Sequence, residues 1–243
     1  MQSRALKKGR AAESSTGGRR YLCRIEWHSS LEAAAWTTFH VCGLFVGSFY
    51  MKFTNFRGHR RDQSLAELLP GFGWHLLTDD LLRGPNSSLQ TAALKAMRNY
   101  VVGPFTEEWI FRSCMCPLLV SAGLSVSGTV FLAPLFFSLA HMHHMWRTDK
   151  ARPSRNQVLF QMVYTAIFGW YAAYLFLRTG NIVAPFVAHS ICNVMQVPPF
   201  NEVPSRSDKN VCIALYVGGL AFFFATMQLV SDPLRYGSPW YLL

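Results

Sequence analysis

From Ser113 to Trp146 the chain runs without a single Lys, Arg, Asp or Glu. An apolar stretch of that length has few homes. A helix needs about 20 mostly apolar residues to cross a bilayer, and inside hydrocarbon the backbone must satisfy its own hydrogen bonds. The run is too long for one span, and SAGLSVSG at 121–128 offers a break of small, turn-forming residues. With the residues before it, it reads as a helical hairpin, 106–122 and 127–146. Further runs lie at 33–51 (apolar apart from His40), at 158–177, at 182–197 after a Thr-Gly-Asn turn signal, and at 211–230 before Ser-Asp-Pro. The expectation is all-α: a polytopic transmembrane helix bundle of about six spans, with no internal repeat.

Composition and charge narrow the function classes. Only 15% of the 243 residues are charged, and 51% are hydrophobic. A soluble domain usually carries about 25% charged residues. The formal charge of +10 suits nucleic acid or a membrane surface. The Lys and Arg residues lie mostly between the apolar runs and no nucleic-acid-binding motif occurs, so the expected partner is membrane lipid and not nucleic acid. The cysteines, Cys23, Cys42, Cys114, Cys116, Cys192 and Cys212, form no CxxC pair and no zinc-ribbon spacing. They read as small apolar residues. The basic N-terminus has no apolar core and is not expected to be a cleavable leader. With no Gly at position 2 and a Trp-Tyr-Leu-Leu end, neither myristoylation nor prenylation of the chain is expected.

Loop charge orients such a bundle. The basic loop RTDKARPSR at 147–155 belongs in the cytosol, the uncharged turn near Gly123 on the far side, and 52–104 in the cytosol again. An amphipathic piece at 65–82 suits the membrane interface, and the sequon at Asn86 is then unused. The same counting puts residues 1–24, with seven Lys/Arg, on the far side. That conflict implies either that run 33–51 does not cross or that one more span is needed.

Ionisable groups within membrane helices are costly and mark function by default. Here they gather at three places: Glu107-Glu108 with Arg112; His141 with His143 and His144; and His189 with Asn193. On the charge-derived orientation all three reach the cytosolic half of the membrane. Glu108 and Arg112, Phe137 and His141, and His189 and Asn193 are each four apart, so each pair shares a helix face. This set suits hydrolysis of an amide by an activated water. A carboxylate beside a His can take a proton from water and pass it to a leaving amine, while a His and an Asn can donate to a developing oxyanion. No Ser-His-Asp or Cys-His arrangement and no HExxH is visible. Two alternatives stay open. One is a metal-dependent membrane protease using Glu107, Glu108, His141 and His189 as ligands; the other is a non-catalytic membrane scaffold. His143 and His144 read as headgroup-facing, and Phe137 and His40 as packing residues.

Glu107-Glu108-Trp109-Ile110-Phe111-Arg112, Phe137-Ser138-Leu139-Ala140-His141 and His189-Ser190-Ile191-Cys192-Asn193 together resemble the EExxxR, FxxxH and HxxxN motifs of the type II CAAX prenyl proteases. These are the Ras-converting endopeptidases within the glutamate-dependent intramembrane proteases. The resemblance covers roughly 98–240. It implies an endoplasmic reticulum enzyme that removes the last three residues of farnesylated or geranylgeranylated CaaX proteins, Ras-type small GTPases among them, without a metal or other cofactor. It also implies Glu107 as the base, His141 as its partner, His189 and Asn193 as oxyanion stabilisers, and Glu108, Arg112 and Phe137 as supporting residues. The expected organisation is a basic tail (1–32), a first span (33–51), a polar connecting segment (52–104), the catalytic transmembrane core (105–231) and a C-terminal tail (232–243). Members of the family usually carry about two more hydrophobic spans before the first motif, and 52–104 contains no such run.

Overall fold

Two prolines decide the shape of the first long element on the motif-bearing side. In the computed structural model, which describes residues 27–58, 89–140, 142 and 154–241, a continuous helical rod runs from Leu89 to Ser121. It consists of α3 (Leu89–Met97), α4 (Gly103–Glu108) and α5 (Cys116–Ser121), joined by wide π-turns at Arg98–Val102 and Trp109–Met115. Pro104 and Pro117 stand just inside α4 and α5. Proline has no N–H, and its ring crowds the carbonyl four residues back, so the helix widens ahead of each. At Gly103 a Cβ would lie 2.9 Å from the Arg98 carbonyl oxygen, which leaves the site to glycine. The rod begins well before the expected start near 106. Lys95, Arg98 and Asn99 interrupt the apolar count there without interrupting the helix.

The remaining described elements are also helical: α1 (Trp27–Leu44), α2 (Val46–Gly58), α6 (Val126–Ala140), α7 (Arg155–Thr179), α8 (Val183–Met195), α9 (Lys209–Val230) and α10 (Pro233–Tyr236). Over the described residues the chain is an all-α membrane helix bundle. α7 and α9, of 25 and 22 residues, are long and apolar enough to cross a bilayer, while α6 and α8 are apolar but shorter. Phe160 and Val163 of α7 and Leu229 of α9 are each more than half exposed. An outer surface this apolar is one that lipid covers.

Local signals explain most breaks. Gly123, with φ +95°, turns the hairpin between α5 and α6. Gly180, with φ +63°, ends α7, and the Asn181 side chain then accepts from Val183 N at 2.8 Å to start α8. The run 33–51 differs from the single span expected. It divides at Phe45, whose N–H is shared between the carbonyls of Val41 (3.3 Å) and Cys42 (3.1 Å), so the hydrogen-bond ladder slips between α1 and α2. The segment 65–82, the Asn86 sequon, residues 1–26 of the N-terminal tail, His141, His143, His144 and the loop 147–153 lie outside the described residues, while residues 27–32 of the expected tail open α1.

α8 sits at the centre, against α1, α4, the first π-turn and α7, while α6 packs along α7 and α9 along α1 and α2. Polar pins cross the apolar interfaces, as expected where helices pack without a hydrophobic drive between them. Ser138 donates to the Met162 carbonyl at 2.6 Å, Trp170 Nε1 to the Phe131 carbonyl at 3.2 Å, and Asn181 Nδ2 to Ser30 Oγ at 3.0 Å. His40, fully buried, stacks on Phe223 and bonds Thr226 Oγ1 through Nδ1 at 2.8 Å. The Thr226 hydroxyl donates to the Phe222 carbonyl, so Nδ1 of His40 is the donor. α1 and α9 touch backbone to backbone: a Cβ on Gly219 would lie 2.8 Å from the Gly43 carbonyl oxygen. G219A should therefore destabilise the bundle by about 1–3 kcal/mol, measured as a lowered unfolding midpoint in a titration with denaturing detergent.

Beyond the apolar region, Arg206 ties the α8–α9 connection to α2. It grips Asp208 through Nε (2.7 Å) and Nη2 (2.9 Å), reaches Thr54 Oγ1 at 2.6 Å, and contacts Asn55 Oδ1. The Arg206 hydrogen bond is the main cause that lowers the Asp208 carboxyl from 3.8 to about 2. A depressed carboxyl stabilises the fold fully above its unfolded value and loses that contribution as pH falls through its folded value. The difference in thermal midpoint between the parent and R206Q should hold constant above about pH 4 and shrink toward pH 2.

Candidate active site

Consecutive residues on a helix point about 100° apart, and Glu107 and Glu108 at the end of α4 meet different surroundings. The Glu108 side chain is fully buried, whereas that of Glu107 is 40% exposed. One oxygen of Glu108, Oε1, accepts from Arg112 Nη1 at 3.0 Å and bonds His189 Nδ1 at 2.6 Å. The second oxygen is buried without a partner among the described residues. Arg112 is buried as well. Its Nη2 donates to the Gly169 carbonyl at 3.4 Å, and its guanidinium lies 4.7 Å from the Phe137 ring centre and 5.9 Å from that of Phe168. A charge withdrawn from water needs such a partner and such hydrogen bonds.

The same two rings wall in His189. Phe168 lies 4.7 Å away centre to centre, and Phe137 stands edge-on at 6.2 Å. Gly169 lets α6 and α7 close over the guanidinium, since a Cβ there would sit 2.7 Å from the Pro134 side chain and 3.4 Å from Arg112 Nη2. Phe168 and Gly169 carry no motif signature. A glycine midway along an apolar helix was the available signal, because small residues mark close helix contacts in membranes.

The other nitrogen of His189, Nε2, is 3.7 Å from Glu107 Oε2. That is too long for a direct hydrogen bond, and it is a separation that one water spans with a bond to each. Glu107, Glu108, Arg112, Phe137 and His189 thus come together from the rod, α6 and α8. Asn193 lies one turn beyond His189, and its Nδ2 donates to the Asn99 carbonyl at 3.1 Å in the first π-turn. Asn99, which no motif marks, in turn accepts from Arg98 Nε. His141 lies outside the described residues.

Residues 89–195 match the family described as type II CAAX prenyl endopeptidase Rce1-like. The chain is 40% identical over 159 residues to CAAX prenyl protease 2 of Arabidopsis thaliana, covering 63% of this chain and 50% of the relative. It is 37% identical over 150 residues to CAAX prenyl protease 2 of Homo sapiens (60% and 45%). It is 35% identical over 142 residues to probable CAAX prenyl protease 2 of Schizosaccharomyces pombe (56% and 52%). The chain therefore spans about half the length of the curated relatives it matches. No solved structure matches it.

Next to the cluster an apolar cavity of about 880 Å³ extends between α7 and α9. Phe168, beside His189, and Cys192, one turn further along α8, belong to its wall, and Tyr171, Phe223 and Phe224 continue it. The buried Glu108–Arg112 ion pair is testable by stability alone. R112M leaves Glu108 buried without its countercharge and should cost about 3–5 kcal/mol. The double replacement E108L/R112M removes both charges and should recover most of that loss. Unfolding curves of the three proteins in one detergent check the pattern.

Proposed function

We propose that this chain carries the catalytic core of an intramembrane endopeptidase that removes the C-terminal tripeptide from prenylated CaaX proteins. Glu107 takes a proton from water, whose oxygen attacks the amide carbonyl carbon. Glu107 then delivers that proton to the amide nitrogen as the C–N bond breaks. The products are a tripeptide and a protein ending in prenylcysteine carboxylate. His141 assists Glu107, His189 and Asn193 stabilise the tetrahedral oxyanion, and the Glu108–Arg112 pair with Phe137 holds the site. The substrates are farnesylated or geranylgeranylated CaaX proteins such as Ras-type small GTPases, presented at the cytosolic half of the endoplasmic reticulum membrane.

The observation that carries this reading is the division of labour between adjacent carboxylates. Glu108 is taken up by Arg112 and His189, while the partly exposed Glu107 retains an oxygen within one water of His189. The names of the relatives support the substrate class. The apolar cavity beside His189 suits an isoprenoid, whose burial contributes about 0.8 kcal/mol per CH₂. The full chain in lipid vesicles should release a tripeptide from a farnesylated CaaX peptide, act poorly on the unprenylated peptide, and keep its rate under exhaustive chelation. E107A should lose release by a factor of about 10² or more. Retained cleavage in E107A would refute Glu107 as the base.

A further inference from the structure

We infer that Glu108 is a positioning residue for His189: it fixes the imidazole as its Nδ1–H tautomer and holds Nε2 toward Glu107. The inference rests on the hydrolytic reading of the site and assigns a step within it. An ionised carboxylate can only accept a hydrogen bond. The 2.6 Å contact between Glu108 Oε1 and His189 Nδ1 therefore places the ring proton on Nδ1. The tautomer of a histidine is set by the bond its other nitrogen makes, and here that bond is buried and short. Arg112 holds the same Oε1 at 3.0 Å, so the carboxylate is anchored from a second helix turn and does not follow the ring. Phe137 and Phe168 wall the imidazole. Turning the ring over would set carbon against the carboxylate and forfeit the bond.

The consequence concerns the order of events at Nε2. In the neutral ring Nε2 holds a lone pair, and it faces Glu107 Oε2 across 3.7 Å. A neutral His189 is thus an acceptor for a water proton alongside Glu107. Nε2 donates to an oxyanion only once it holds a second proton; the attacking water supplies both protons in turn, the first to Glu107 and the second to Nε2, and both leave on the amine, which departs as an ammonium beside the carboxylate product. The imidazolium so formed has the Glu108 carboxylate already in contact, with no reorganisation required at that moment. Glu108 acts on the reaction through His189 and does not itself touch substrate.

The test is ¹⁵N imidazole spectroscopy on the full-length chain, labelled at histidine, in lipid nanodiscs, with H189Q assigning the His189 signals by their loss. The parent, recorded at a pH where the ring is neutral, should show His189 as Nδ1–H. In E108L/R112M, where both charges are gone, the population should shift toward the Nε2–H form that a free imidazole prefers. A parent dominated by Nε2–H, or a double variant with the parental tautomer, overturns the inference. Should the double variant not fold, the parental spectrum still decides it. Kinetics supply a second arm. E108Q should lower kcat on a farnesylated peptide by about a hundredfold or more with KM changed less than about twofold, and a loss confined to KM overturns the assignment. If the parent releases no tripeptide, the proposed function fails, while the spectrum still tests the Glu108–His189 relation by itself.

Discussion

A carboxylate buried among apolar helices must be compensated, and one oxygen of Glu108 does so with two partners on separate elements. Arg112, one turn along the rod, brings the countercharge; His189, from α8, brings a ring nitrogen. Much of the surrounding architecture can be derived from that requirement. α6 and α7 close over the guanidinium through Pro134 and Gly169, α7 lends a backbone carbonyl, and two phenylalanines shield the cluster from lipid. The start of α8 is held by Asn181, itself bonded to Ser30 of α1. The orientation of His189 is therefore set from both ends of its helix.

Helix class, the hairpin turn and the stops after α7 and α9 were legible because hydropathy, glycine and proline report locally. The Glu108–Arg112 relation was legible for the same reason, since four-residue spacing is a property of one helix. The break at Phe45 was not. Runs of apolar residues record composition, whereas a slipped hydrogen-bond ladder depends on what packs alongside, here the close approach of α9 to Gly43 and Gly47. The start of the rod at Leu89 was missed because polar residues lowered the count over a stretch that is nonetheless helical.

Partners across the bundle were also beyond the reach of spacing. His40 carried no nameable partner along its own helix, and its bond to Thr226 spans 186 positions of sequence. Asn193 shares a face with His189 by spacing, yet its amide meets the Asn99 backbone, because the first π-turn lays a carbonyl in its path. Gly169 has no side chain to attract notice, and its importance comes from what approaches it. The division between Glu107 and Glu108 lies between these cases. One guanidinium implies one fully paired carboxylate, but which one is buried depends on the angle at which the rod presents them.

That angle depends on the widened turn at Trp109–Met115. A π-turn accommodates one residue more than an ordinary helical turn, and such insertions recur at functional positions. Excising a single amino acid between 109 and 115 would let the backbone relax into a uniform coil and swing everything downstream by roughly 100° about the axis. Cys116 and its neighbours, now packed on α6 and α7, would then face elsewhere. The length of this short stretch is thus as constrained as its composition, and an evolving lineage could vary its letters far more freely than their number.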